Sequence, residues 1–297
     1  MAIIKFYNVP DETVIELGGN DQLKFTGGIS AADVRVTQSS EGVELKVDGK
    51  SVILKDYVLG NLSLAEIVFA DNSELLVGDT IGPAVDDDNA NTIRPTRPAE
   101  VNRDQLIGLD GDDDMNGGRG ADLLYGGGGN DMMDGGAGDD MLVDGRGTDT
   151  LKGGAGNDTL RGGVDNDLLI GGVGADQMEG EDGDDIFLIP SSDSAPVRRQ
   201  YDTILQFMTG SDKLDLDVEG SEANYVEKDF KTNDFATAMQ EAVKLLVRNE
   251  GLKDYVFISG QSVGWLFGEF TDDINFDVAV KIKNGGSIDS LTFSDII

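Results

Sequence analysis

The chain has 297 residues, 39% of hydrophobic type and only 6% aromatic, with 41 Gly, no Cys and no His. A net charge of −34 makes nucleic acid and anionic membrane surfaces poor partners and calls for cations among the carboxylates if the chain is to be compact. Without Cys there is no disulfide or thiol chemistry. Without His there is no HExxH zinc site, Ser-His-Asp triad or Cys-His dyad.

The chain starts with Met1-Ala2-Ile3-Ile4-Lys5, which lacks a basic region followed by a long apolar core, so no secretory signal peptide is read there. No stretch approaches the roughly 18 apolar residues of a membrane span, so no transmembrane segment is expected. Residues 1–78 alternate apolar and polar over short runs: Val34-Arg-Val36, Val43-Glu-Leu-Lys-Val47 and Ser51-Val-Ile-Leu54. Gly49 within Asp48-Gly49-Lys50 marks a hairpin turn. The pattern predicts a small antiparallel β-module acting as a cap or spacer, with ligand binding as the second reading. Gly18-Gly-Asn-Asp21-Gln-Leu23 is a lone repeat-like turn within it. Residues 79–98, with Pro83, Pro95, Pro98 and Asp86-Asp-Asp88, read as an extended acidic linker.

Residues 99–188 carry the strongest signal. From Gly108 to Leu188 the sequence divides without a gap into nine nonapeptides of the template GGxGxDxUx, with U a large apolar residue. Two examples are Gly117-Gly-Arg-Gly-Ala-Asp-Leu-Leu-Tyr125 and Gly153-Gly-Ala-Gly-Asn-Asp-Thr-Leu-Arg161. Position six is Asp in all nine: Asp113, Asp122, Asp131, Asp140, Asp149, Asp158, Asp167, Asp176 and Asp185. Position eight is always apolar: Met115, Leu124, Met133, Leu142, Leu151, Leu160, Leu169, Met178 and Phe187. The preceding Asn102-Arg-Asp104-Gln-Leu106 keeps the Asp and the apolar residue and reads as a degenerate cap.

Gly supplies the positive φ that a tight turn needs. Six residues, GGxGxD, form the turn, and xUx forms a short strand with only its middle side chain inward. Two nonapeptides complete one coil. The expected fold is a parallel β-roll with a thin core of Leu and Met. Successive coils lie roughly 4.8 Å apart, so the Asp of repeat n stacks on that of repeat n+2. Carboxylates that close repel unless a cation lies between them. Calcium takes six to eight oxygens, backbone carbonyls included. The expected ligands are Asp104 and the nine repeat Asp residues, with turn carbonyls at Gly118, Gly120, Gly127, Gly129, Gly136, Gly138, Gly145, Gly147, Gly154, Gly156, Gly172 and Gly174. Counting the stacked pairs gives about seven to eight Ca²⁺ ions.

These repeats resemble the RTX (repeat-in-toxin), or haemolysin-type, calcium-binding family. The resemblance implies a calcium-loaded parallel β-roll and export by type I secretion machinery on an uncleaved C-terminal signal. Asp165 at a Gly position, Asp144 at position one and Glu181 at position two depart from the pattern and leave the adjoining sites incomplete. Ser51-Val-Ile-Leu-Lys-Asp-Tyr57 and Ile67-Val-Phe-Ala-Asp-Asn72 resemble the β-module that often accompanies RTX repeats.

Residues 189–297 are expected to form an α+β capping and secretion region. Tyr201-Asp-Thr-Ile-Leu-Gln-Phe207 and Gly210-Ser-Asp-Lys-Leu-Asp-Leu216 resemble the segment closing the β-roll of serralysin-type proteases, which makes Asp202, Asp212 and Asp215 candidates for further calcium. A helix is predicted from Asn233 or Asp234 to about Asn249, with Phe235, Met239, Ala242 and Leu246 on one face. Strands follow around Tyr255–Ile258, Trp265–Phe267 and Asp277–Ile282. The terminal Ser294-Asp-Ile-Ile297 resembles the end of RTX proteins exported by type I systems.

Gly260-Gln-Ser262-Val-Gly264 fits GxSxG, but that chemistry needs a base beside the Ser, normally His, and the chain has none. The reading is therefore non-enzymatic. Residues 99–188 hold 22 Asp and Glu against five Lys and Arg, a net of −17, which about eight Ca²⁺ would nearly cancel. Calcium binding is then folding energy, because only the folded chain offers the sites. The expectation is a secreted, extracellular protein with a cell-surface, matrix or surface-layer partner. The alternatives are the secretion and folding module of a larger RTX enzyme, or a small RTX toxin.

Overall fold

The computed structural model describes residues 101–190 without interruption. Outside them it describes 3–5, 13–15, 22–25, 29–39, 42–55, 67–69, 75–77, 92–95, 201–208, 211–216, 225–229, 237–238, 240, 242, 255–259, 263–268, 278–283 and 296. The turn at 18–21, Tyr57, the 70–72 run, Pro83, the acidic run 86–88 and Pro98 lie outside the described residues. So do Phe235, Met239, Leu246, Gly260, Ser262, Asp277, Asp295 and Ile297. The chain divides into two compact units, Met1–Asp144 and Gly145–Ile297.

In the first unit, β1 (Ile3–Lys5), β3 (Gln22–Phe25) and β7 (Ile67–Phe69) form a parallel sheet in the order β1-β3-β7. A second sheet runs β2-β6-β5-β4, from β2 (Thr13–Ile15), β4 (Arg35–Ser39), β5 (Gly42–Val47) and β6 (Lys50–Lys55). Strands β4, β5 and β6 are antiparallel, as the alternation predicts. Val47 pairs with Lys50 across a two-residue turn in which both Asp48 (φ 51°) and Gly49 (φ 80°) are left-handed, as a type I′ hairpin demands. Strand β2 joins β6 in parallel, a pairing between distant segments that local alternation does not encode. Val43, Leu45, Val47, Val52 and Leu54 point into one core with Leu23, Phe25, Ile29, Ala31 and Val34.

The same unit contains the first coils of the roll. Strand β8 (Leu75–Val77) pairs in parallel with β10 (Gln105–Asp110), which pairs with β12 (Leu123–Gly128), and β12 with β14 (Met141–Val143). On the other side β9 (Thr92–Ile93), β11 (Asp114–Arg119) and β13 (Met132–Ala137) pair likewise. Ile107 of β10 packs on the core of the antiparallel module. Arg103, just before β10, donates to Asp33 at 2.7 Å and to the Ser30 hydroxyl at 3.2 Å.

The second unit repeats the pattern. Strands β15 (Thr150–Ala155), β17 (Leu168–Val173), β19 (Ile186–Leu188) and β21 (Lys213–Asp215) form one parallel series. Facing it are β16 (Thr159–Val164), β18 (Gln177–Asp182) and β20 (Asp202–Leu205), followed by β25 (Val278–Lys283), β24 (Gly264–Gly268), β23 (Tyr255–Ser259) and β22 (Tyr225–Asp229). Pairing turns antiparallel at β25–β24 and β24–β23. There the one-in-nine core gives way to a denser one, with Trp265, Leu266 and Phe267 all buried. Tyr201 stacks edge-on against Trp265, and the Lys281 ammonium lies over the Trp265 ring. Ala238 and Ala242, helical residues four apart, are both buried.

All nine position-eight side chains are buried, as read from the period. The strands, however, are twice as long as predicted. Most span six residues, because the ladder runs on through positions one to three of the next repeat, as in Asp114↔Met132 through Arg119↔Ala137. The turn proper is the remaining three residues. The cause is register: with each coil 18 residues long, the left-handed residues of one coil lie on those of the next. Their N–H groups then find carbonyls across the gap, as Gly111 does on Gly128 at 2.6 Å and Gly120 on Ala137 at 2.8 Å. Leu109 (φ 86°), Asp165 (φ 82°) and Glu181 (φ 73°) stand where the template has Gly and keep its left-handed backbone, so these departures leave the coil intact.

Candidate metal centre

Position six ends each turn, and its carboxylate folds back over the preceding coil. In the first unit the backbone N–H groups of Asp104, Asp113 and Asp122 donate to Oδ1 of Asp122, Asp131 and Asp140, each at 2.7 Å. In the second unit those of Asp149, Asp158 and Asp167 donate to Oδ1 of Asp167, Asp176 and Asp185 at 3.0, 2.7 and 3.0 Å. This is the n to n+2 stacking expected from the period, with one addition: the Asp uses one oxygen to hold the backbone of the coil below. The degenerate cap joins the ladder through Asp104.

The ladder continues beyond the repeats. Asp176 N–H donates to Asp202 Oδ1 at 3.0 Å, and Asp185 N–H to Asp212 Oδ1 at 3.2 Å, across 26 and 27 residues. The structure thus brings Asp202 and Asp212 into line with the repeat Asp residues. They differ in one respect. Asp212 Oδ2 also accepts from Met208 N–H at 2.7 Å, so both its oxygens are engaged by backbone. Asp215 lies in β21, three residues past the ladder position of Asp212.

The second oxygens are the chemical opportunity. Oδ2 of Asp122, Asp167 and Asp185 is buried without a hydrogen-bond partner. Burial pushes these carboxyls up, to about 7 for Asp122 and Asp167 and about 6 for Asp185. The backbone N–H that each accepts opposes the rise, and neighbouring ladder carboxylates add to it. A buried carboxylate oxygen with no donor is costly unless protonated or matched by a cation.

Oδ2 of Asp122, Asp167 and Asp185 each lies against the position-one Gly of its own repeat, at Gly117, Gly162 and Gly180. A Cβ added to Gly117 would lie 2.7 Å from Asp122 Oδ2 and 2.7 Å from the carbonyl oxygen of Gly135. The space at Gly108 is lined the same way by Asp113 Oδ2 and the Gly126 carbonyl, and that at Gly153 by Asp158 Oδ2 and the Gly171 carbonyl. A carboxylate oxygen and a carbonyl oxygen set side by side are the donor chemistry of a hard divalent cation. The residues fit calcium.

Several of the predicted carbonyl donors lie at the contact between stacked turns. Those of Gly118, Gly120, Gly145, Gly154 and Gly156 abut the glycines one coil on, where any Cβ would collide with them: Gly136, Gly138, Gly163, Gly172 and Gly174. Position one, Gly in eight of nine repeats, adds a carbonyl oxygen beside the Asp side chain to the donors expected at positions two and four. Gly127, Gly129 and Gly147, also predicted donors, are left-handed turn residues like most of the others.

The RTX calcium-binding nonapeptide repeat family matches the chain in four overlapping copies, over residues 107–142, 134–169, 143–178 and 165–188. These are RTX calcium-binding repeats. The RTX segment is thus the Asp ladder and its position-eight core, folded as a parallel β-roll. Among solved structures, the solution structure of the AlgE6R3 subunit from the Azotobacter vinelandii mannuronan C5-epimerase is similar to the chain. It is 23% identical, covers 60% of this chain and 80% of that one, and has a TM-score of 0.25. No curated protein matches the chain. Among the described residues, no helix is long and apolar enough to cross a membrane.

Proposed function

We propose that this chain is a secreted protein whose RTX roll folds when calcium meets the buried carboxylates of the Asp ladder. Asp104, the nine repeat Asp residues and Asp202 hold the ions, and position-one carbonyls complete the sites. The turn carbonyls at positions two and four add further oxygens, and Asp212 closes the ladder by hydrogen bonds. The observation that carries this reading is the buried, unpartnered Oδ2 of Asp122, Asp167 and Asp185, each in a carboxyl pushed far above its ordinary value.

Without calcium, the net charge of −17 over residues 99–188 and the entropy of its glycines oppose folding. In calcium-poor cytosol the segment stays extended and suits passage through a type I exporter. Outside the cell, calcium near 10⁻⁴–10⁻³ M fills the sites and drives folding. The match of the repeats to the RTX calcium-binding family supports that route. A cell-surface, matrix or surface-layer role fits a chain without His or Cys chemistry. Far-ultraviolet circular dichroism of the full chain, titrated with calcium after chelation, tests the core of the reading. A cooperative gain of β-signal is expected, and a signal indifferent to chelator would overturn it.

A further inference from the structure

Asp144 stands at position one of its repeat, where the other eight repeats have Gly. By sequence it is a defect, and its geometry says otherwise. At Gly108, Gly117 and Gly153 the nearest atoms on the side-chain face are the repeat's own Asp Oδ2 and the position-one carbonyl oxygen two repeats on. At Gly126 the residue two repeats on is Asp144, and its side-chain Oδ1 takes the place of that carbonyl, facing Asp131 Oδ2, which lies 2.5 Å from the same point. Asp144 Oδ1 also accepts from Gly127 N–H at 3.2 Å, which aims the carboxylate inward. The carboxylate oxygens of Asp131 and Asp144 lie within 4.8 Å of each other. Both residues are buried, Asp131 2% exposed and Asp144 9%.

We propose that Asp144 is a calcium ligand that adds a carboxylate to the Asp131 site, and that this site is the first of the roll to fill. The inference rests on the calcium reading above. A carboxylate in place of a neutral carbonyl raises the charge count of the site, which is how oxygen sites for calcium tune their affinity. The same substitution makes the empty site worse, because two buried like charges face each other. The site therefore has the largest difference between empty and filled states, and folding begins there. It lies in the middle of the repeat run, so coils are recruited toward both ends.

Tyr125 gives a local readout. It is the only Tyr or Trp between residues 99 and 188 and directly precedes Gly126. Terbium, a trivalent stand-in for calcium, is titrated into the full chain, into Asp144→Asn and Asp144→Gly, and into Tyr125→Phe to isolate the emission excited through that tyrosine. The Asn variant keeps an acceptor for Gly127 N–H, and the Gly variant restores the ordinary repeat residue, so at least one should fold in saturating calcium. The Tyr125-dependent emission should saturate within the first equivalent in the parent chain. In the variants it should need about tenfold more free terbium, the scale of one ligand charge. A titration that stays put, or moves to lower terbium, overturns the assignment and makes Asp144 a source of repulsion only. If the parent chain shows neither terbium emission nor calcium-dependent β-signal, the calcium reading itself fails.

Discussion

The antiparallel hairpin of residues 42–55 and the repeats of residues 108–188 are both β-structure, held by opposite means. In the hairpin Val43, Leu45, Val47, Val52 and Leu54 are buried in an apolar cluster with Leu23 and Phe25. In the roll each nonapeptide buries its position-eight apolar side chain and its position-six Asp. Apolar burial is worth about 25 cal/mol per Å², and a buried carboxylate works against it unless its charge is met. The hairpin carries its stability in its side chains. On the proposed reading, the roll keeps part of its own in solution, as a calcium ion.

Calcium removal is the strongest way to break that comparison. Hydrogen exchange on the full chain in chelator should strip protection from amides across residues 101–190, while those of Val43–Leu54 stay protected. Uniform loss would tie the hairpin to the roll through Ile107 and the Arg103–Asp33 contact, and uniform retention would show that the roll needs no ion.

Acid sharpens the comparison from the other side. The Asp122 and Asp167 carboxyls are raised from 3.8 to about 7 in the folded chain, so the folded state binds protons more tightly than the unfolded one. The sign follows from linkage: stability associated with these groups is fully present below pH 3.8 and is lost as pH rises through about 7. Calcium-free roll should therefore gain β-signal as pH falls from 7.5 toward 4 (a window set by those two values), and the calcium needed at the midpoint should rise as protons compete. The hairpin signal should not move. A calcium-free chain whose dichroism is flat over this range would contradict the assignment.

The smallest effect is conformational. Leu109→Gly places the template residue at a left-handed position and should stabilise the calcium-loaded roll by about 1 kcal/mol in thermal unfolding, the usual cost of that backbone for a residue with a Cβ. Gly49→Ala should cost the hairpin about as much, because Gly49 sits at φ 80° in its turn. The two changes separate the regions, since only the first should shift the calcium midpoint.

Much of the site was legible in the residues. Nine Asp at position six fix which carboxylates stack, because a coil of 18 residues returns each to the same edge. Position eight names the core for the same reason, and Asp48-Gly49 names its own turn, since both residues tolerate positive φ. The second use of the Asp side chain was not legible. That Oδ1 takes a backbone N–H and leaves Oδ2 for the ion depends on how closely two coils approach, which no spacing states. Nor was Asp144: a mismatch in the template looks like damage until its carboxylate is seen facing that of Asp131.

The sequence by itself determined the periodic part of this protein: the coil length, the Asp and apolar columns, the acidity that calls for a cation, and the hairpin turn. Those properties are local or strictly repeated, so one residue's surroundings follow from its position in the nonapeptide. Tertiary structure decided what is not repeated. It put Asp202 and Asp212 on the ladder across 26 and 27 residues and set β2 beside β6. It set position-one carbonyls beside the Asp side chains at Gly108, Gly117 and Gly153. The physical reason is the same in each case: partners separated by irregular chain are chosen by packing and by the hydrogen bonds left open when coils stack, and both exist only once the chain is folded.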